Sequence, residues 1–158
     1  MVAMWFRDDH HYDAWFGEGT QRGNDGFFDV LEPGAGASLK TTENVVVDGE
    51  ASQDSEKVVY FVKRGAHVTT DALFAHWRDR HAPNVAAAVE RTEGCLRYVI
   101  SHADLGVAGS YDGIAEIWWS SAEARRAGLQ GVEDDGFGAL IDREQTVTIA
   151  GSERPIVG

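Results

Sequence analysis

The sequence predicts an α+β domain, in which strand, helix, strand, strand, helix and strand follow one another within residues 57–150. Runs of β-branched and aromatic residues alternate with segments whose apolar residues recur every three or four positions. Turns rich in glycine separate these segments. Hydrophobic residues make up 43% of the 158-residue chain and charged residues 25%, which is typical of a globular domain.

The four predicted strands are rich in valine, isoleucine and aromatic residues, which favour extended structure. They cover residues 57–63, 96–102, 114–119 and 145–149. In the second of them, the alternation of side chains places Tyr98 and His102 on one face, so a phenol and an imidazole are expected side by side. Further helical segments are predicted from Val85 to Gly94 and from Ser121 onward.

The most informative helix is predicted within residues 72–83. Phe74, Trp77 and His81 fall at positions i, i+3 and i+7, which places them on one helix face. Pro83 predicts a stop or a kink, because the residue before a proline avoids the helical region. A purely structural interpretation stays open, with Phe74 and Trp77 in the core and His81 at the negative end of the helix dipole.

The order of these elements is the split βαβ arrangement of a ferredoxin-like βαββαβ domain. Such a domain has helices on one sheet face only. The strongly aromatic strands favour a second sheet as the cover of the other face, which would form a two-sheet barrel with an interior pocket. The sequence therefore predicts a homodimer or a tandem pair.

The N-terminal residues 2–49 echo the later half of this domain in three places, in the same order. Val2–Phe6 resembles Ala115–Trp119, Asp25–Phe28 resembles Asp135–Gly138, and residues 44–49 resemble residues 146–151. We therefore expect a strand-helix-strand half repeat in residues 1–50, a polar linker at 51–56, the full domain at 57–150 and a tail at 151–158. Because nothing matches the earlier half of the domain, we expect a longer tandem protein or a truncated start.

Composition narrows the classes of partner. The 26 acidic and 14 basic residues give a formal net charge of -12, which repels nucleic-acid backbones. The single cysteine, Cys95, excludes an intrachain disulfide and a cysteine-rich metal site, and we expect it to serve packing. The adjacent His10 and His11 lack the i, i+4 spacing of a metal-binding pair, and His67 lies in a predicted turn. With no signal peptide and no apolar run of membrane-spanning length, we expect a soluble cytoplasmic protein with no membrane partner.

Four segments together resemble the EthD-like domain family of dimeric α+β barrels. They are Lys57–Gly65, Leu73–Pro83, Arg97–His102 and Asp112–Trp119, in which the aromatic spacing before His81-Ala82-Pro83 is the most specific motif. The family is similar in fold to small polyketide cyclases, aromatic-polyketide decarboxylases and muconolactone isomerases. The resemblance covers residues 57–150, with residues 2–49 as an incomplete copy, and implies a pocket for an apolar or aromatic small molecule.

His81, His102, Glu116 and Tyr98 form the predicted catalytic group. An imidazole would carry the proton, the phenol would donate a hydrogen bond to a substrate carbonyl or phenolate, and the carboxylate would orient an imidazole. Such proton transfer accelerates a reaction by about 10² to 10⁴, enough for an enolisation, cyclisation or dehydration with no cofactor or metal. The side chains expected to contact the substrate are Phe74, Trp77, Tyr60 and Trp118.

Glu116 shares a strand face with Ile114 and Trp118, so it is expected among apolar groups. A position at a sheet edge or an ion pair with Arg97 is the alternative. His76 follows a different helix face from Trp77, and we expect it at the surface or in an interface.

Two functions remain open from the sequence. The first is a cofactor-free lyase, cyclase or isomerase acting on an aromatic or polyketide-like compound. The alternative is a non-catalytic ligand-binding protein, or an accessory protein of an oxidative degradation pathway. Convergence of the four predicted catalytic residues in one cavity would favour the enzyme, because fold alone does not decide function.

Overall fold

The structure is a computed structural model that describes residues 3–4, 6–16, 39–104 and 110–154. The chain divides into two compact units, Met1–Ala37 and Ser38–Gly158. Among the described parts of the chain, no helix is long and apolar enough to cross a membrane.

In the first unit, helix α1 covers Asp9–Phe16, as the pattern predicted. Asp8 caps it, because its Oδ1 accepts a hydrogen bond from the backbone N–H of His11 at 2.8 Å. The strand expected at residues 2–6 is not formed at residues 3, 4 and 6. The segment Asp25–Phe28, on which the echo partly rests, lies outside the described residues.

The second unit contains one five-stranded sheet, which confirms the α+β class. Its strands are β1 (Thr41–Val47), β2 (Glu56–Val62), β3 (Cys95–Ala103), β4 (Gly113–Trp119) and β5 (Val147–Gly151). Their order across the sheet is β1-β3-β4-β2-β5, and every neighbouring pair is antiparallel. Strand β1 lies within the predicted N-terminal half repeat, yet it is an edge strand of the same sheet as β2 to β5.

The helices of this unit are α2 (Thr70–His76), α3 (Ala82–Glu90) and α4 (Ala122–Gln130). Thr69 Oγ1 caps α2 by accepting from the N–H of Ala72 at 3.2 Å, and Ser121 Oγ caps α4 by accepting from the N–H of Ala124 at 3.1 Å. A short 3₁₀ helix follows at Phe137–Ala139.

A π-helical turn, Trp77–His81, joins α2 directly to α3. The N–H of Ala82 donates to the carbonyl of Trp77, five residues earlier. Pro83 lies in the first turn of α3, where its missing N–H is tolerated. The stop or kink predicted at Pro83 is therefore a widened turn just before it, through which the chain stays helical.

One face of the sheet packs against the helices and forms the core. The strands contribute Val58, Val62, Tyr98, Ile100, Ala115, Ile117 and Trp119, and the helical segments contribute Leu73, Trp77, Val85, Val89 and Phe137. Gly113 allows the Trp77 indole to approach the sheet, because a Cβ at this position would lie 2.7 Å from Trp77 Cζ3 and from the carbonyl oxygen of Ser101. The core therefore holds Trp77 against the backbone of β4.

The opposite face, which we call the helix-free face because α2, α3 and α4 pack on the other side of the sheet, carries the alternate residues of the same strands. Its buried side chains are those of Lys57, Val59, Val99, Ser101, Glu116 and Trp118. Val45, Val147 and Ile149 are exposed on this face at the two edge strands, since Val45 pairs with Val99, Val147 with Phe61 and Ile149 with Val59. Polar and apolar groups are thus mixed on the helix-free face, and its two edge strands expose apolar side chains there, beside Glu43 on β1.

Candidate functional site

The candidate site is centred on His81, the last residue of the π-helical turn. Its Nδ1 lies 2.9 Å from Asp135 Oδ2, and its ring stacks on Phe137 with 4.0 Å between centroids and 8° between planes. Asp135 belongs to the loop after α4, just before the 3₁₀ helix. The turn and the loop therefore bring together an imidazole and a carboxylate that are 54 residues apart in the sequence.

Asp135 is held by donors other than His81. Asn84 Nδ2 donates to Oδ2 at 3.0 Å, and the backbone N–H of Phe137 donates to Oδ1 at 2.9 Å. Burial raises the pKa of Asp135, but the hydrogen bonds from Asn84, Phe137 and His81 outweigh burial and lower it to about 2. Near neutral pH the carboxylate is therefore ionised and fixed in place.

His81 is half-buried and has a lowered pKa. Burial is the main cause, and the nearby His76 adds to it, whereas the hydrogen bond and the charge of Asp135 work in the opposite direction. The imidazole is therefore neutral at neutral pH. Since Asp135 accepts a hydrogen bond from Nδ1, we assign the proton to Nδ1, which leaves Nε2 as an acceptor. Among the described residues, Nε2 of His81 has no hydrogen-bond partner.

His76 lies beside the same carboxylate, which corrects the expectation that it faces the surface. Its side chain is 16% exposed, and its Nε2 lies 3.7 Å from Asp135 Oδ1, too far for a hydrogen bond. In a regular α-helix, two residues five apart would be separated by about 140° around the axis. A π-helical turn closes through bonds between residues i and i+5, so His76 and His81 come to lie on the same side.

His102 extends the site on the sheet side. Its ring stacks on Phe74 with 4.2 Å between centroids and 4° between planes, and lies 5.3 Å from the ring of Trp77. Burial, followed by the charge of Arg78, lowers its pKa. Its Nε2 is buried and has no hydrogen-bond partner in the described part of the chain.

Trp77 connects the two halves of the site, because its ring also lies 5.4 Å from that of Phe137. Five rings thus form a continuous series, which we call the aromatic array: Phe74, His102, Trp77, Phe137 and His81. The predicted helix face of Phe74, Trp77 and His81 is therefore present, with Trp77 at its centre. The array thus places the rings of Phe74, Trp77 and Phe137 directly against two imidazoles.

The two tyrosines predicted for the site lie on the same sheet face as the aromatic array. Tyr98 is 1% exposed, and burial raises its pKa far above the usual range, so it remains a protonated phenol. Tyr60 is half-buried, and burial raises its pKa while the charge of Arg125 partly opposes that effect. Tyr98 is therefore a core residue, whereas Tyr60 lies at the margin of the core.

Glu116 and Trp118 lie on the helix-free face, so the four predicted catalytic residues do not converge. Register places Glu116 opposite Val59 and Val99, across the sheet from Tyr98 and His102. Lys57 Nζ lies 2.6 Å from Glu116 Oε1 and forms an ion pair with it. The ion pair between Glu116 and Arg97, which was the alternative expected from the sequence, is not formed. Arg97 Nη1 instead donates to Asp48 Oδ1 at 2.6 Å.

Asp135, and not Glu116, is the carboxylate that lies next to a predicted catalytic imidazole. The turn Asp135-Gly136-Phe137 was visible as part of the internal echo, and Gly136 has a φ of 84° that suits glycine. The pair Asp135-Gly136 indicates a turn in the sequence, but it does not indicate which histidine the carboxylate contacts. Among the described residues, no group of three or more His, Cys, Asp or Glu side chains is arranged to hold a metal ion.

Comparisons with protein families, with curated proteins and with solved structures gave no match to this chain. The function is therefore argued from the side chains. A fixed carboxylate, a neutral imidazole bonded to it and adjacent aromatic surfaces are the components of a general acid-base site.

Proposed function

We propose that the second unit is a cofactor-free lyase, cyclase or isomerase that acts on an aromatic or polyketide-like compound. The observation that carries the proposal is the contact of 2.9 Å between His81 Nδ1 and Asp135 Oδ2, in a half-buried position on the aromatic array. His81 is the proton carrier and Asp135 is its positioning residue.

The geometry supports proton transfer from the substrate to His81 and from His81 back to the substrate. Asp135 fixes the tautomer of His81, so Nε2 carries the lone pair that removes a proton from a carbon next to a substrate carbonyl. The imidazolium formed in that step is stabilised by the ionised carboxylate. In an isomerisation the proton returns to another carbon of the same substrate. In a cyclisation the carbanion attacks a second carbonyl carbon of the substrate, the π bond of that carbonyl opens, and its oxygen takes the proton from His81, so neither step needs an oxidant or reductant.

The aromatic array supports the proposed class of substrate. Phe74 is partly buried and its ring stacks flat on that of His102. Phe137 is buried and its ring stacks flat on that of His81. A planar substrate placed against these rings would gain stacking and would exclude water from the reacting carbon. His102, whose Nε2 is unpartnered among the described residues, would supply a hydrogen bond to a carbonyl or phenolate oxygen.

We further propose that the unit has the ferredoxin-like βαββαβ topology and pairs into a homodimer of the dimeric α+β barrel type. Without β1, the strand order is β3-β4-β2-β5, which together with the positions of the helices is the order expected for that topology. The exposed Val45, Val147 and Ile149 on the helix-free face support a contact with a second copy. A solution molar mass of two chains by light scattering is the expected result, and a monomer at all concentrations would contradict this part of the proposal.

A second function is favoured by one observation. Trp77 and Tyr98 are each 1% exposed, so two residues predicted for the site are core residues. In that interpretation the pair of His81 and Asp135 is structural, and the protein is a non-catalytic ligand-binding protein or an accessory protein of an oxidative degradation pathway.

The first experiment measures exchange of carbon-bound hydrogen for deuterium, because enolisation catalyses this exchange whatever the later steps are. Aromatic ketones and β-diketones are incubated with the full chain in D₂O, and exchange is followed by NMR. We expect His81→Asn to reduce the rate by about 10² to 10⁴. His67→Asn is the matched control, since His67 is exposed and outside the site. Exchange by His81→Asn at the wild-type rate would remove His81 from the mechanism and leave the binding function.

A further inference from the structure

The C-terminal segment places a carboxylate in a polar cluster on the helix-free face. Glu153 lies two residues after β5, and both of its carboxylate oxygens are bound. Oε1 accepts a hydrogen bond from Lys57 Nζ at 3.0 Å, and Oε2 accepts one from Trp118 Nε1 at 2.9 Å. The two donors come from β2 and β4, which are neighbouring strands, so the sheet itself sets their separation.

The two donors form a preorganised site, because both side chains are nearly inaccessible to water. Lys57 is 6% exposed and Trp118 is 5% exposed. The ammonium group of Lys57 also lies 4.3 Å from the centroid of the Trp118 ring, a cation-π contact that holds both groups together. A single carboxylate can therefore take an ionic hydrogen bond on one oxygen and an indole hydrogen bond on the other.

Two other charged side chains, those of Glu116 and Arg97, act on this site. Glu116 Oε1 lies 2.6 Å from Lys57 Nζ and partly neutralises it, so it acts against a second anion. Arg97 lies close enough to act on Glu153 in the opposite direction. Burial raises the pKa of Glu153, but the hydrogen bonds from Lys57 and Trp118 and the charges of Lys57 and Arg97 lower it overall. The site therefore holds a carboxylate in its ionised form.

Glu153 is held by its carboxylate, whereas its neighbours in the chain are exposed. Gly151, Ser152 and Arg154 are exposed, and Glu153 is the one half-buried residue within 151–154. A local movement of this segment would withdraw the carboxylate without disturbing the core. Trp118 Nε1 would then lose its hydrogen bond to Glu153 Oε2, and Lys57 would keep Glu116 as an ion-pair partner. An incoming carboxylate would restore the two lost contacts.

We propose that Lys57 and Trp118 form a binding site for small monocarboxylates, which Glu153 of the chain's own C-terminal segment fills in this structure. The site lies on the helix-free face, across the sheet from His81, and does not depend on the proposed catalytic function. Because Glu153 is tethered, it competes at an effective concentration in the millimolar range. A free carboxylate must therefore reach a comparable concentration to displace it.

The test uses the full chain labelled with ¹⁵N and follows the indole N–H signal of Trp118, identified by its loss in Trp118→Phe. Acetate is titrated at constant ionic strength into the wild-type protein and into Glu153→Ala. We expect saturable binding that is about tenfold tighter in Glu153→Ala, because the tethered competitor is removed. Glu144→Ala is the matched control, since it removes an exposed glutamate outside the cluster and should bind acetate as the wild type does.

Two further measurements define the chemistry of the site. Acetamide, which has the shape of acetate without its charge, should not shift the Trp118 signal of Glu153→Ala. Lys57→Met in the Glu153→Ala background should abolish acetate binding. If that variant does not fold because Glu116 is left unpaired, adding Glu116→Gln removes the unpaired charge and carries the same expectation. Equal acetate affinity in the wild type and Glu153→Ala, or binding that survives the loss of Lys57, would overturn the proposal.

Discussion

Replacing Asp135 with asparagine tests how the carboxylate controls His81. The charges of an imidazolium and a carboxylate about 4 Å apart interact by about 1 kcal/mol in water and about 4 kcal/mol at an effective dielectric constant of about 20. The side chains of His81 and Asp135 are 21% and 17% exposed, so water reaches the pair only in part and the interaction lies between these two limits. This interaction favours the protonated imidazole, and the hydrogen bond and the charge of Asp135 both raise the pKa of His81. Asp135→Asn should therefore lower the pKa of His81 further, below its already lowered value.

The assay is a titration of the His81 ring nitrogens followed by ¹H–¹⁵N NMR. Asp142→Asn is the matched control, because Asp142 accepts hydrogen bonds from the backbone N–H groups of Glu144 and Gln145 and from the Gln145 side chain, and from no imidazole. The pKa of His81 should be unchanged in that variant. An unchanged or raised pKa of His81 in Asp135→Asn would refute the argument that Asp135 stabilises the imidazolium.

The same substitution should also destabilise the fold in a pH-dependent way. The pKa of Asp135 falls from 3.8 to about 2 on folding, so its ionised form contributes stability above about pH 4 that is lost as the pH falls toward 2. At about 1.36 kcal/mol per pKa unit the upper limit is about 2.4 kcal/mol, which solvent screening reduces to about 1 kcal/mol. Urea unfolding should show this difference in the free energy of unfolding at pH 7 and a smaller one at pH 3. A difference that does not shrink on acidification would contradict the assignment.

Three other substitutions or reactions test the packing. Gly113→Ala should lower the free energy of unfolding by about 1 to 3 kcal/mol, because the new methyl group meets the Trp77 indole. It should also shift the Trp77 fluorescence. Wild-type stability would mean that the indole moves freely. Thr69→Ala should cost about 1 kcal/mol by removing the cap that binds the N–H of Ala72, whereas Thr69→Ser should retain most of that stability. Burial raises the pKa of Cys95 to about 11. Its reaction with a thiol reagent at pH 8 should therefore be about 100-fold slower than that of a thiol with a pKa of about 9. A rate typical of exposed cysteine would show that Cys95 is accessible.

The sequence predicted the local elements of the second unit well, because they depend on neighbouring residues. The last three predicted strands start and end within two residues of β3, β4 and β5, and the first differs from β2 by one residue at each end. Alternation also correctly grouped Glu116 with Trp118 on one strand face. It could not indicate that this was the helix-free face, because the side on which the helices pack is set by connections between distant segments.

The carboxylate of the candidate site was missed for the same reason. Asp135 meets His81 across 54 residues, and no local spacing encodes that meeting. The position of His76 depended on the π-helical turn, whereas the periodicity of 3.6 residues assumed for any helix places it on another side. The helix face of Phe74, Trp77 and His81 was therefore predictable from local spacing, whereas Phe137 and Asp135, which reach His81 from a distant loop, were not.

The π-helical turn also controls the phase of the helix that follows it. Leu73 in α2 and Trp77, the first residue of the turn, are buried positions four residues apart, and the next is Ala82, five residues on. After this one long step, burial resumes at intervals of three, through Val85 and Ala88. In effect the turn adds one residue to a helix, so deleting a single residue there would rotate all of α3 by about 100°. The spacing between His81 and its aromatic neighbours and the seating of α3 on the sheet are thus set by the same extra residue.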